Sequence, residues 1–323
     1  MEPVRSARKF GISVVLLTTL FRLFELGIPQ NAVRLIPNFL PTSIQKETER
    51  AVRSFSFPFP FESSPPMDYS PEPALPKFTA QDAQAVSVIN SSRETPDYGT
   101  LMAAPLNWQL AASSPTVLII HTHTSESYER GSRDYPETAA YRTLEEEYNM
   151  LSIGDRLAQL LEAEGIRVIH DREFHDYPAY NTAYAHARKS IQKLLAENPE
   201  VDLVLDLHRD AADADAGQLC TQIQMDGTDC AQLMLVLGMG NSALPNDHWQ
   251  DNLSLALKLQ FLLQSRSPAL CRPISLRAQR FNQDLAAYSL LVEVGAAGDS
   301  HEAALEAAEQ LAAGIAALKH GTA

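Results

Sequence analysis

Thr116-Val-Leu-Ile-Ile-His-Thr-His-Thr-Ser-Glu-Ser-Tyr-Glu-Arg130 is a short apolar, β-branched run that stops abruptly at two histidines and a carboxylate. A run of this kind reads as a buried strand that delivers polar side chains to the rim of a sheet. Two further stretches repeat the pattern. They are Val201-Asp-Leu-Val-Leu-Asp-Leu-His-Arg-Asp210 and Ser289-Leu-Leu-Val-Glu-Val-Gly295. Three strand ends carrying His or Glu point to one site.

Helical patterns separate these strands. Glu146–Glu164 places Leu151, Leu157, Leu160 and Leu161 at helical spacing, and Gly165 stops it. Ile166–Ile169 follows as a strand, then a helix over Tyr180–Ala196 with Ala183, Ala187, Ile191 and Leu194 on one face. Val201–Leu207 is unalternating and apolar, which predicts a central strand. Gln218–Leu237 predicts a hairpin turning at Asp226-Gly227. A helix over Asp251–Gln264, a strand over Leu290–Val294 and an alanine-rich helix over His301–Leu318 complete the order. Alternation of this kind predicts an α/β fold with a mostly parallel or mixed central sheet flanked by helices. Such sheets carry their sites at the carboxyl ends of the strands.

The residues there suit a metal-assisted hydrolase. Zinc takes imidazole and carboxylate ligands and keeps one position for water, and a nearby carboxylate moves the proton. The candidates are His121, His123, Glu126, His208 and Glu293. His121 and His123 are two apart, so they share a side if the strand continues through both. If it ends at His121, the turn frees His123. The acidic run Glu145-Glu146-Glu147 is another source of a carboxylate ligand, or a solvated helix start favoured by the dipole. Arg209 either stabilises a developing oxyanion or pairs with Asp210. Glu293 lies in an apolar strand, where burial raises a carboxyl's pKa towards the range of a general base. His175-Asp-Tyr-Pro-Ala-Tyr180 has the character of a cleft loop.

The chain of 323 residues is long enough for one large domain plus appendages, and 45% apolar content supplies a core. A formal charge of −14 argues against nucleic acid as a partner. Cys220, Cys230 and Cys271 lack zinc-finger spacing; Cys220 and Cys230 either bridge locally or, like Cys271, stay unpaired. At the N-terminus, Arg5, Arg8 and Lys9 precede the apolar run Phe10–Phe21, without a small-x-small cleavage site after it. This predicts a signal anchor within residues 1–29 that leaves the rest of the chain extracytoplasmic. Residues 30–112 are rich in proline and predict an extended stalk. Residues 113–323 remain as the catalytic domain.

Taken together, these motifs resemble the stage II sporulation protein P family. The matching pieces are Ile119–Tyr128, His170-Asp171 with His175–Pro178, and Asp206–Asp210, followed by Asn252-Leu253, Arg280–Leu285 and Leu291–Gly295. The resemblance implies a phosphorylase/hydrolase-like fold and a zinc-dependent N-acetylmuramoyl-L-alanine amidase acting on peptidoglycan during engulfment. The family is also credited with cleaving peptide crosslinks. It implies work at the septum of a sporulating cell beside sporulation proteins D and M. By position it implies His123 and Glu146 as ligands, with Glu126 as the alternative to Glu146. Two other readings stand beside it: a phosphoesterase, which would want more aspartate ligands, and an inactive amidase-fold module that binds cell wall.

Overall fold

The computed structural model describes residues 75–114, 116–129, 141–211 and 219–323. They all belong to the unit Pro73–Ala323. The expected anchor at 1–29 and the expected stalk up to residue 74 lie outside the described residues. Among those described, no helix is long and apolar enough to cross a membrane.

In chain order the elements are β1 (Val88–Asn90), α1 (Tyr98–Ala103), β2 (Val117–Ile120), α2 (Met150–Ala163), β3 (Val168–His170), α3 (Ala183–Glu197) and β4 (Leu203–Asp210). Then come β5 (Gln222–Met225), β6 (Thr228–Ala231), β7 (Leu233–Gly238), α4 (Trp249–Arg266), β8 (Ile274–Arg277), β9 (Ser289–Ala296) and α5 (His301–Ala317). Seven strands form one sheet in the order β1-β8-β7-β9-β4-β2-β3. Every neighbouring pair is parallel except β7 with β9. The mixed sheet therefore contains an unbroken parallel block, β9-β4-β2-β3, whose carboxyl ends lie on one rim. β5 and β6 pair as a separate hairpin, and the turn uses Asp226 and Gly227 at φ 49° and 85°. Asp-Gly supplies the two left-handed residues such a turn requires.

Period-two alternation sorts the strands between two faces. Val117, Ile119, Leu203, Leu205, Leu207, Leu290, Val292 and Val294 pack into the main core with α2, α4 and α5. Leu118, Ile120 and Val204 pack on the other face with Ala187 and Ile191 of α3. α3 is thus the helix that covers the opposite face of β2 and β4. The three cysteines are free, Cys220 exposed and the other two buried.

Sequence reading placed the domain start at 113. The structure extends the fold upstream of it. β1 adds to the sheet edge beside β8, and Asp97 caps α1 by accepting from Thr100 N at 3.0 Å. Met102, Leu106, Trp108 and Leu110 are buried. Proline hid this segment: β1 is only three residues long and α1 six, too short for a periodic signal.

Trp108 ties the segment down. Its Nε1 donates to Leu318 O at 2.7 Å, and its ring meets Tyr288 edge-on at 4.9 Å. Trp108→Ala should lower the unfolding free energy by roughly 3–5 kcal/mol, the range for a buried aromatic. Urea denaturation measures this, and a change below about 1 kcal/mol would mean that the segment merely rests on the surface.

Candidate active site

β4 and β9 set the geometry. In their parallel register His208 lies directly beside Glu293, and a shift in the pairing follows between His208 and Asp210. Asp206 and His208 alternate with Leu205 and Leu207, so they face α3 while the leucines enter the main core. Glu293 alternates with Val292 and Val294 in the same way.

The exit of β2 supplies the next groups. The strand ends at Ile120 and residues 122–125 turn. Two buried aspartates hold this turn. Asp206 accepts from Thr122 N at 2.7 Å and Thr122 Oγ1 at 2.6 Å. Asp176 accepts from Ser125 Oγ at 2.6 Å and lies 3.2 Å from Ser125 N. The turn brings His123 to His208, with ring centroids 5.4 Å apart, and places Glu126 Oε2 3.4 Å from His208 Nδ1. His208 Nε2 lies 3.0 Å from Asp206 Oδ1, a close charge contact whose angle is poor for a hydrogen bond. His123 Nδ1, His208 Nε2 and Glu293 Oε2 are all buried without a hydrogen-bond partner. Three orphaned buried atoms in one place are unusual, since burying such groups costs about 1–3 kcal/mol each.

Because β2 ends before His121, the two histidines part company. His121 stays on the α2 face, where Nδ1 meets Leu207 O at 3.2 Å and Nε2 meets His170 Nε2 at 2.8 Å. The pair occupies a space that only glycine leaves. A Cβ at Gly154 would come within 2.6 Å of His121 Nε2 and collide with His170. His170 Nδ1 contacts Asp155 at 3.0 Å. Glu146 does not join the cluster: it stands exposed on a 3-10 turn, Glu146–Tyr148, and accepts from Arg172 at 2.6 Å. Glu145 and Glu147 flank it, also exposed. The break between that turn and α2, where Asn149 caps the helix, keeps all three at the surface.

Arg209 points away from the cleft as well. It alternates to the core face of β4 and donates from Nε to Ser127 O at 3.1 Å and from Nη2 to Tyr141 O at 3.0 Å. Its Nη1 lies 3.4 Å from Glu126 Oε1. Arg209 thus fixes the loop that carries Glu126, and Asp210 pairs instead with Arg272 at 2.7 Å.

Two tyrosines wall the cleft: Tyr180, from the loop whose sequence has cleft character, and Tyr184, which the sequence does not single out. Tyr180 stacks on His123 at 4.3 Å, and the Arg142 guanidinium lies 3.9 Å above the Tyr180 ring. Tyr184 meets His123 edge-on at 5.6 Å and lies nearly parallel to His208 at 6.5 Å. The cleft-loop character of residues 175–180 was the available signal, because Tyr180 ends that loop and Tyr184 lies one helical turn on.

Burial and charge then push the acids apart. Burial drives Glu293 up to about 8; His208 opposes this, and the charges of Glu126 and Asp210 reinforce it. Burial would raise Glu126 too, but Arg209 and His208 prevail and hold it near 2. Burial disfavours a charged His208, yet Asp206 and Glu126 lift its pKa well above the usual imidazole value. His123 is pulled down to about 4 and His121 to about 3, burial being the main cause of both. One ionised and one protonated carboxyl in the same cleft is the arrangement that assigns acid and base roles.

The fold and site define an α/β protein with a histidine–carboxylate centre at the carboxyl ends of a parallel block. The family model of stage II sporulation protein P matches residues 35–316, and the chain belongs to that family. Stage II sporulation protein P of Bacillus subtilis is 24% identical over 267 residues, which cover 78% of this chain and 60% of that protein. The chain therefore spans less than two thirds of that relative's length. Among solved structures, an N-acetylmuramoyl-L-alanine amidase of Nostoc punctiforme is 16% identical with a TM-score of 0.36, covering 62% of this chain and 93% of that one. An N-acetylmuramoyl-L-alanine amidase from Clostridium difficile is 17% identical with a TM-score of 0.36, covering 63% and 93%.

Glu293 gives the site a pH signature. Its folded pKa lies above the ordinary 4.5, so the proton it retains on folding adds stability below about 4.5. That contribution declines as pH rises and is gone above about 8. Glu293→Gln removes the dependence. In metal-free protein the variant should gain on wild type between these limits, at up to about 1.4 kcal/mol per pH unit, and then level off. Denaturation at pH 5, 6.5 and 8.5 checks this; a constant difference would refute the raised pKa.

Proposed function

We propose that the chain is a zinc-dependent N-acetylmuramoyl-L-alanine amidase. It would hydrolyse the amide joining N-acetylmuramic acid to the L-alanine of the stem peptide in peptidoglycan, during engulfment in sporulation. The observation that carries this reading is the set of buried His123, Glu126 and His208 beside half-buried Glu293, with three orphaned polar atoms, in a member of the stage II sporulation protein P family. Cleavage of peptide crosslinks is a second activity that the same site could perform.

Among the described residues, no three His, Cys, Asp or Glu side chains form a ready cage for an ion. Their donor chemistry nevertheless fits zinc. His208 Nδ1 and Glu126 Oε2 face one another at 3.4 Å, and the orphaned His123 Nδ1 belongs to the same cluster, a set of imidazole and carboxylate donors of the kind zinc takes. His208 Nε2, on the other side of the ring from Glu126, lies 3.0 Å from the Asp206 carboxylate, whose charge favours the imidazole in that place. His123, Glu126 and His208 would hold the ion, and His121 and Glu146 would not. When bound, zinc supplies Lewis acidity, polarising the scissile carbonyl and making water acidic enough to ionise near neutral pH.

The remaining work falls to the chain. Glu293 would take the proton of the attacking water on a carboxylate oxygen and pass it to the leaving nitrogen. Its place in register beside His208 suits both halves of that task. Arg209 would keep Glu126 ionised and in place, while Asp206 would orient His208. Tyr180, stacked on His123 under Arg142, would exclude water from one side of the cleft. The basic and apolar N-terminal segment supports a membrane-anchored, extracytoplasmic protein, with sporulation proteins D and M as partners by family resemblance.

Purified full-length protein should release stem peptides from peptidoglycan and leave new lactyl ends on muramic acid. Glu293→Gln should reduce this by roughly 10²- to 10⁴-fold. His208→Ala should lose stoichiometric zinc, read by metal analysis. Intact sacculi after treatment with zinc-loaded wild-type protein would sink the amidase reading and leave a wall-binding module.

A further inference from the structure

We propose that Tyr184 is a catalytic residue of this site, its phenol donating a hydrogen bond to the carbonyl oxygen of the scissile amide. This inference rests on the hydrolytic reading above. When water adds to the carbonyl carbon, the C=O π pair moves onto oxygen and the water's proton goes to Glu293. When the pair returns, the C–N bond breaks and the proton goes to nitrogen. The transient oxyanion needs a donor already in place, and such donors are among the largest contributors to catalysis.

The donors around the cleft are mostly committed. Arg209, the sequence candidate, lies on the core face and serves Ser127 O, Tyr141 O and Glu126. Thr122 donates to Asp206, and Ser125 to Asp176. Arg188 and Arg280 both bind Asp284. Arg142 covers Tyr180 and lies 3.8 Å from both Glu126 and Asp176. The Tyr184 hydroxyl makes no hydrogen bond among the described residues.

Tyr184 is also well held. It lies in the first turn of α3, and its carbonyl accepts from Asn282 Nδ2 at 2.9 Å. Its ring is packed between His123, His208 and Phe281 at centroid distances of 5.6, 6.5 and 6.0 Å. The phenol lies within electrostatic reach of His208, Asp206, Glu293 and Glu126. Burial raises this phenol above its ordinary value, so it stays protonated at neutral pH and donates without giving up its proton. A fixed, protonated, unpartnered donor among the groups that move the proton is placed for an oxyanion.

Tyr184→Phe keeps the ring packing and removes only the hydroxyl. With a soluble muramoyl-peptide fragment of peptidoglycan as substrate, kcat should fall roughly 10- to 10³-fold with little change in KM. Zinc content and melting temperature should match wild type. 4-Aminophenylalanine at 184 keeps the ring and restores an N–H donor, so kcat should recover towards wild type, whereas 4-methoxyphenylalanine, without a donor, should stay as slow as Tyr184→Phe. Packing alone would not separate these two variants, which also decides the matter if Tyr184→Phe folds poorly. A kcat within about twofold of wild type in Tyr184→Phe, a rise in KM alone, or equal kcat in the amino and methoxy variants would overturn the assignment. Wild-type protein that leaves the fragment intact would overturn both readings, whereas active wild type beside fully active Tyr184→Phe overturns only this one.

Discussion

The pairing of His208 with Glu293 across β4 and β9 is the constraint on which the site depends. Parallel neighbours in register point their side chains to the same face. Once the leucines and valines of both strands enter the main core, an imidazole and a carboxyl must meet on the other side. A shift of one residue in either strand would send that strand's polar group into the leucine core. The packing that stabilises the fold therefore also enforces the chemistry, and no separate device is needed to bring these two groups together.

The loops at this rim are held by buried aspartates. Asp206 and Asp176 fix the turn that carries His123, Asp171 accepts from Ser190 at 2.5 Å and contacts His175 at 3.1 Å, and Asp299 accepts from Thr221 Oγ1 at 2.6 Å. Each carboxylate satisfies backbone or hydroxyl donors that a turn leaves exposed at the end of a strand. Charge-assisted bonds of this kind are shorter and stronger than neutral ones. They let loops rather than strands carry ligands with little freedom, which a site tolerant of only small displacements requires.

Strands β2, β3, β4 and β9 and the three polar strand ends were legible because buried parallel strands are short apolar runs, and a histidine or glutamate closing such a run stands out; the order of strands in the sheet was not, nor was β8, and β7 leaves the expected 218–237 hairpin to join the main sheet. The segment up to 112 was not: its strand and helix are too short for periodicity, and its prolines resemble those of a linker. Which side each group faces also escaped the sequence. The ambiguity between His121 and His123 turned on whether β2 ended one residue sooner or later, which is decided by the bonds of Asp206 to Thr122. Arg209 and Glu146 illustrate the same limit. Alternation sends Arg209 to the core side once His208 faces the cleft, and a break before α2 leaves Glu146 on Arg172. Tyr184 carried only the indirect signal of lying one turn beyond the 175–180 loop, because a tyrosine in an amphipathic helix is ordinary until its neighbours across the sheet are known.

The charge balance of the cleft explains why these groups are arranged as they are. Glu126, Asp206 and Glu293 lie close together in a space without bulk water, and His208 and Arg209 are the cations nearest them. A proton on His208 offsets Asp206 and Glu126, and a proton on Glu293 removes the third charge. A neutral buried carboxyl costs about 1–3 kcal/mol, comparable with the burial of one leucine, whereas an unpaired buried carboxylate costs far more. Burial and the neighbouring charges thus favour the protonated forms of His208 and Glu293, and the negative charge that these protons offset is the charge a bound cation would meet. Binding of a cation there would proceed by exchange with those protons, as it does wherever imidazole and carboxylate groups take up a metal. A cleft lined with leucine instead would be more stable and would have no use for the exchange.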